Sequence, residues 1–379
     1  MSKEQPDSHG AIIVSTPDQM KQFLEFPYQH YTGDKNWIPP LRLMQKHTLD
    51  VAKNPFYQHA EAAFFLAKYN GQPSGRIAAI HNKAYNEYNG TNTGFFGFFE
   101  SIDNQATADF LLKIAGDWLK KRGISDVIGP MNPGMLDEIG ILVNGFDLKP
   151  SIMMPYTKPY YDKLIKRAGY EKAMDLYTYK VTQQSVAIDR IQRAEEIVKK
   201  RVPGITIRQV NLRYLEREVD IIHKVYNKAW ARNWGFSEIS YDEFRDLAEG
   251  LKKIIDPDIA HVAEIDGEPV GFSISLPDIN QALQHMDGSL LPFGIFKYLY
   301  YKRQINRIRT ALMGVIPEYQ KKGIEALLYG QAVRKGLAKG YNEAEIGWLL
   351  ESNQDMIRVA EKVGGTLQKT YRLYHNDIS

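Results

Sequence analysis

Residues 310–339 run from a short apolar strand, through a glycine-marked loop, into a helix, and this order commits the surrounding chain to an α/β layer structure. Thr310 to Ile316 is mostly apolar, as a buried strand should be, and Pro317 stops it. Beyond Gly323 the apolar residues Ile324, Leu327, Leu328 and Ala332 recur at helical spacing. A glycine at the mouth of a helix leaves backbone N–H groups facing outward, which makes a ready phosphate site. Lys321 and Lys322 sit in the same loop.

The same order of elements occurs twice. In the first half, strand Ala62 to Tyr69, the turn Asn70-Gly71 and strand Ser74 to Ile80 read as a hairpin. Ile259 to Ile265, Asp266-Gly267 and Val270 to Leu276 repeat it in the second half. Each half continues with a central apolar strand (Gly94 to Phe99; Thr310 to Ile316), a long helix (Gln105 to Arg122; Ile324 to Lys339) and a further strand (Asp126 to Gly129; Ala344 to Leu350). Each then closes with a helix, a glycine and a last strand, Asp175 to Val181 or Thr366 to Tyr374. Between them Gln183 to Arg201 reads as an amphipathic helix ended by Pro203-Gly204. The expected division is 1–182, a linking helix in 183–204 that packs between the halves, and 205–379.

Composition excludes several classes. The 48 basic and 45 acidic residues leave +3, too little to argue for nucleic acid. The absence of cysteine removes disulfides, thiolate zinc sites and a cysteine nucleophile, and no metal is expected. The polar opening, Met1 to Ser8, does not read as a signal peptide, and no apolar run approaches the ~20 residues of a membrane span. A cytoplasmic protein is the expectation, either fully soluble or peripheral at the inner membrane. The basic, aromatic segment 288–303 reads as a membrane-surface stretch, the lining of an acyl channel, or an insertion packed across the sheet. The 23 tyrosines and 16 phenylalanines fit a ring-built core or a large pocket for a long ligand.

The stretch Gln320-Lys321-Lys322-Gly323-Ile324-Glu325 resembles motif A of the GNAT family of N-acyltransferases. That motif reads Gln or Arg, two residues, Gly, one residue, then Gly or Ala; Glu325 replaces the second small residue. Asn54-Pro-Phe-Tyr57, Gly94-Phe-Phe-Gly-Phe-Phe-Glu100, Gly129-Pro-Met-Asn-Pro133 and Pro317 to Ile324 are similar to marks of a bacterial tandem branch and together span most of the chain. The resemblance implies an α/β fold of two tandem GNAT-like domains, each a central mixed, mostly antiparallel sheet flanked by helices. It implies acetyl-CoA or a longer acyl-CoA as donor, with its pyrophosphate on Gln320, Lys321, Lys322, Gly323, Ile324 and Glu325. It also implies that backbone groups of Met313, Gly314 and Val315 hold the thioester arm. The first half lacks motif A and has Glu100-Ser-Ile-Asp-Asn104 instead, with Asp103 or Asn104 as helix cap; its role is then the acceptor pocket, through Asn132, Glu138 and Tyr156.

Acyl transfer to an amine needs a proton acceptor and donors for the oxyanion. Glu351 is the leading candidate base, followed by Asn353, Asp278, Asn280 and His261. Ala360 stands where many relatives place a tyrosine that protonates the thiolate; Tyr329 and Tyr371 are the substitutes by position. The reading is an N-acyltransferase acting by direct attack of a small-molecule or lipid amine. The alternatives are a non-catalytic acyl-CoA-binding or scaffold protein, and an aminoacyl transferase using aminoacyl-tRNA.

Overall fold

The computed structural model describes residues 9–379, so the polar opening Met1 to Ser8 lies outside the described residues. The chain forms two compact units. The first comprises the chain up to Asp175 with Met286–Leu290 and Thr370–Ser379; the second comprises Leu176–His285 and Leu291–Lys369.

In the first unit, strand β1 (His9–Ile13) is followed by α1 (Pro17–His30). Thr16 and Gln19 cap α1 reciprocally, each side chain accepting from the other's backbone N–H. Strands β2 (Ala60–Tyr69) and β3 (Gln72–Asn82) form a hairpin whose turn residues Asn70 and Gly71 both have positive φ, 50° and 79°. Strand β4 (Thr93–Ser101) leads to α2 (Gln105–Lys120), capped by the Asn104 side chain on the Thr107 N–H. Leu111, Leu112, Ala115 and Leu119 of α2 are buried in one core with Phe65, Ile77 and Phe96 of the sheet. Strand β5 (Asp126–Gly129) runs parallel to β4, and α3 (Tyr161–Arg167) follows. The sheet order is β1-β2-β3-β4-β5, antiparallel except for β4–β5. Its sixth position is taken by the last strand of the chain, with Tyr374 opposite Gly129 and Asp377 opposite Asp126.

Strand β6 (Glu171–Thr182) carries the chain into the second unit, followed by α4 (Ile188–Arg201), β7 (Ile205–Gln209) and α5 (Leu215–Trp230). Strands β8 (Ala260–Ile265) and β9 (Glu268–Pro277) repeat the hairpin, with Asp266 and Gly267 at φ 50° and 87°. Next come α6 (Gly294–Tyr301), β10 (Arg307–Val315), α7 (Ile324–Ala338), β11 (Glu343–Leu350), α8 (Gln354–Lys362) and β12 (Thr366–Asp377). The order β6-β11-β10-β9-β8-β7 is again antiparallel except for one pair, β10–β11. Helix α4 belongs to this unit, where Val198 and Val202 share an apolar cluster with Ile324, Leu327 and Leu328 of α7.

The expected architecture, two tandem domains of mixed, mostly antiparallel sheet with flanking helices, is what the chain adopts. The closing strands are exchanged, however. The strand after α3 pairs with β11 of the second unit, and β12 from Thr370 onward pairs within the first. No helix of the described residues is long and apolar enough to cross a membrane.

Burial disfavours the charged form of His261, which is buried in the second unit, and of His30, which is half-buried in the first. Burial, then the charge of Lys335, pushes His261 down to about 4; burial, then Lys158 and Arg76, does the same to His30. Both folded values lie below the ordinary 6.5, so the unfolded chain takes these protons more readily. Stability is intact above 6.5 and is lost as pH falls from 6.5 toward about 4. Thermal unfolding followed across that range shows a falling melting temperature, and His261→Gln flattens the slope.

Candidate active site

Strands β10 and β11 pair only from Arg307–Glu343 to Thr310–Ile346, and then part. Both bulge at the point of parting. Ala311 is an extra residue against β9, where Leu312 faces Ile274 but Thr310 faces Ser275. On β11, Gly347 and Trp348 stand against one residue of β6, between the pairs Ile346–Tyr179 and Leu349–Tyr177. A bulge bends its strand, and two facing bulges splay the pair. Gly347 takes φ 137° there, and a Cβ on it would lie 2.7 Å from the Tyr177 carbonyl oxygen. Glycine is therefore required on both counts. The root of the fork is tied down by buried charge: Arg309 Nε donates to the Gly347 carbonyl at 3.0 Å, and Lys369 Nζ meets Glu345 at 2.8 Å. Burial alone would raise the Glu345 carboxyl, but Lys369, Arg309 and Arg307 more than offset it and hold it below the usual range.

Past the fork, Ile316 N–H donates to the Val270 carbonyl, and Gly314 pairs with Phe272. Backbone direction alternates along a strand, so the Gly314 amide serves β9 while Met313 and Val315 turn to the parted side. Their carbonyls are occupied by side chains: Trp230 Nε1 donates to Met313 at 2.9 Å and Gln320 Nε2 to Val315 at 2.9 Å. The N–H groups of Met313 and Val315 are thus the donors presented along this edge. Trp230 also lies edge-on to Trp348, with ring centres 5.8 Å apart, and beside Tyr226 at 5.0 Å. The sequence reading missed Trp230 and Trp348. Trp348 beside Gly347 in an apolar strand was the available signal, because a glycine inside a strand marks a bulge.

Lys321 and Gly323 adopt left-handed backbone, φ 62° and 85°, which turns the chain sharply into α7. Gly323 is also pressed against α4, where a Cβ would lie 2.9 Å from Val198 Cγ2. Lys321 and Lys322 are exposed, and Lys322 Nζ sits 4.3 Å from the Tyr319 ring centre. The Gln320 side chain braces the loop by donating to the Val315 carbonyl. Ile324 is buried in the core under the helix start. Glu325 is half-buried: burial pushes its carboxyl up, its own amide N–H pulls it down, and the charge of Asp355 raises it further.

The candidate acid–base residues fall in different settings. Glu351 is half-buried in the turn after β11. Asn353 caps α8, its side chain accepting from Met356 N–H at 3.2 Å. Tyr329 is buried with Tyr179, Ile346 and Ala360, and burial pushes its phenol well above its usual value. Asp278 is fully buried and receives Arg307 Nε at 2.6 Å, and Asn280 N–H donates to its carboxylate at 3.3 Å. His261 lies buried in β8, and Tyr371 belongs to the first unit. Below the fork a small apolar pocket of about 50 Å³, open to solvent, is lined by Val181, Val186, Tyr329, Val333, Ile346 and Val363.

In the first unit the equivalent strands also part, but the gap is filled. Strand β4 leaves β5 after Phe95–Ile128 and bulges at Phe98, which has φ 51°. Residues 131–132 lie against it: a Cβ on Gly97 would collide with the Met131 carbonyl, and Asn132 Oδ1 accepts from Phe98 N–H at 2.5 Å. Glu138 pairs with Asn132 in a short ribbon, and Tyr156 donates to Asp34. Glu100 accepts from Tyr31 at 2.8 Å and Tyr161 at 2.6 Å and stands opposite Arg76. Burial raises its carboxyl, against the pull of Arg76.

Residues 220–365 match the model of the acetyltransferase (GNAT) family. The chain is 36% identical over 377 residues to a bacterial ceramide synthase of Caulobacter vibrioides, covering 97% of each. It is 36% identical to protein YghO of Escherichia coli K12, covering 95% of this chain and 93% of that one. Among solved structures, a tandem GNAT protein from the clavulanic acid biosynthesis pathway aligns over 98% of this chain and 99% of its own, with TM-score 0.57 and 10% identity.

Proposed function

Because the chain belongs to the GNAT family of acyltransferases, we propose that its second unit moves an acyl group from a coenzyme A thioester to an amine by direct attack. The observation that carries this reading is the edge at Met313 and Val315, whose outward amides lie just before the glycine-opened start of α7. Amide groups of a thioester arm would extend that edge, and the thioester carbonyl would meet an N–H worth about 3 kcal/mol to its developing oxyanion. The helix start and Lys321 and Lys322 would take the pyrophosphate. The amine nitrogen forms a C–N bond to the carbonyl carbon, the C–S bond breaks, and the ammonium proton passes to Glu351 or to water. Asn353 is spent as a helix cap. Tyr329 is packed in an apolar cluster with Tyr179, Ile346 and Ala360 and is given no part, so the thiolate leaves unassisted.

The acceptor we favour is a long-chain amine. A ceramide carries an amide on such an amine, and a relative covering nearly the whole chain is named a ceramide synthase. Incubating the protein with palmitoyl-CoA or acetyl-CoA and sphinganine should give the N-acyl amine by mass spectrometry. Gly323→Trp abolishes it, and Lys321→Ala/Lys322→Ala, on exposed side chains, raises the donor KM. A folded protein that binds these thioesters and makes no amide would favour the non-catalytic binding or scaffold reading. One that binds neither would point to an aminoacyl-tRNA donor.

Glu325 gives a second expectation. Its raised pKa keeps the carboxyl neutral at lower pH, where it does not repel phosphate, and donor affinity falls as pH rises through that pKa. Glu325→Gln removes the pH dependence and tightens binding at high pH about fivefold, the worth of one unscreened unit charge near 4 Å in water. Titration calorimetry with coenzyme A across pH reads both effects.

A further inference from the structure

We infer that residues 291–303 dock this protein on an anionic lipid surface. Five of the fifteen exposed large apolar residues of the described chain fall within ten positions: Leu291, Phe293, Phe296, Leu299 and Tyr300. Phe293 is 73% exposed and Phe296 68%, values at which a soluble helix normally carries charge. Helix α6 is therefore amphipathic in the reverse sense. Its inner face holds Ile295, Tyr298 and Tyr301, the last stacked on His285 at 3.7 Å between ring centres. Phe293, Phe296 and Tyr300 follow at spacings of three and four on the outer face, with Leu299 beside them.

The helix is thus anchored from within while its apolar stripe faces outward, and a stripe of this kind costs solvation unless it is covered. Charge selects the cover. Lys297, Lys302 and Arg303 are exposed along the same segment, and 291–303 contains no acidic residue. Aromatic rings and leucine flanked by cations match the boundary between acyl chains and phosphate headgroups. A second copy of the chain would bring two like-charged sets together, which disfavours self-association through this face. The inference stands apart from the identity of the acyl donor. It places the protein where an amphiphile could be delivered from the bilayer.

The test is flotation of the full chain with phosphatidylglycerol vesicles and with phosphatidylcholine vesicles. The wild type should float with the anionic vesicles, and less so as salt is raised. Phe293→Ser/Phe296→Ser/Leu299→Ser should reduce partitioning by about tenfold or more, with an unchanged melting temperature because the side chains are exposed. Lys297→Gln/Lys302→Gln/Arg303→Gln should lower phosphatidylglycerol binding to the phosphatidylcholine level. A Phe296→Trp reporter should shift to shorter emission wavelength on anionic vesicles. The inference is overturned if the wild type does not float, or if both variants float as the wild type does. A concentration-dependent dimer lost in the apolar variant, without vesicle binding, would give the face to a second copy instead.

Discussion

Two neighbouring strands that stop pairing halfway along leave backbone groups that must find other partners or face water. The rest of this structure is arranged around that constraint. In the second unit the parting is forced by facing bulges at Ala311 and at Gly347–Trp348 and pinned by Arg309 on the Gly347 carbonyl. Trp230 and Gln320 satisfy the carbonyls of Met313 and Val315, leaving N–H groups in a row. Under the proposed function, this donor edge beside a positively biased helix start would receive an extended, amide-bearing, phosphorylated donor.

The first unit meets the same constraint by the opposite route. Asn132 supplies an amide oxygen to the Phe98 N–H, and the Met131 carbonyl lies where Gly97 leaves room. The chain has in effect placed its own amide where the other unit presents backbone N–H groups. Its strand-to-helix corner is closed as well, since Glu100 is consumed by Tyr31, Tyr161 and Arg76. One topology used twice thus has one open fork and one closed fork.

Much of this was legible in residue order. The turn pairs Asn70-Gly71 and Asp266-Gly267, the apolar strands and the helix caps carry strong local signals, so the doubled α/β plan could be read directly. The loop at Gly323 was legible because a glycine between a stopped strand and a helical pattern marks the helix start, and its φ of 85° and approach to Val198 favour glycine there. The exchange of closing strands was not legible, because strand pairing is a long-range choice that neither strand's own pattern encodes. Nor was the pairing of Trp230 with Trp348, which meet only after α5 is laid on the sheet. Gln320 carried the motif's expected residue type, yet its side chain turns inward to Val315, a direction that sequence spacing does not set.

The account rests on an open fork in one unit and a closed fork in the other, and amide hydrogen exchange with and without palmitoyl-CoA tests this most directly. The thioester should slow exchange at Met313, Val315 and the first turn of α7, and leave Phe95 to Ser101 unchanged. Protection around Phe98, or none around Met313 when the thioester is bound, would contradict it.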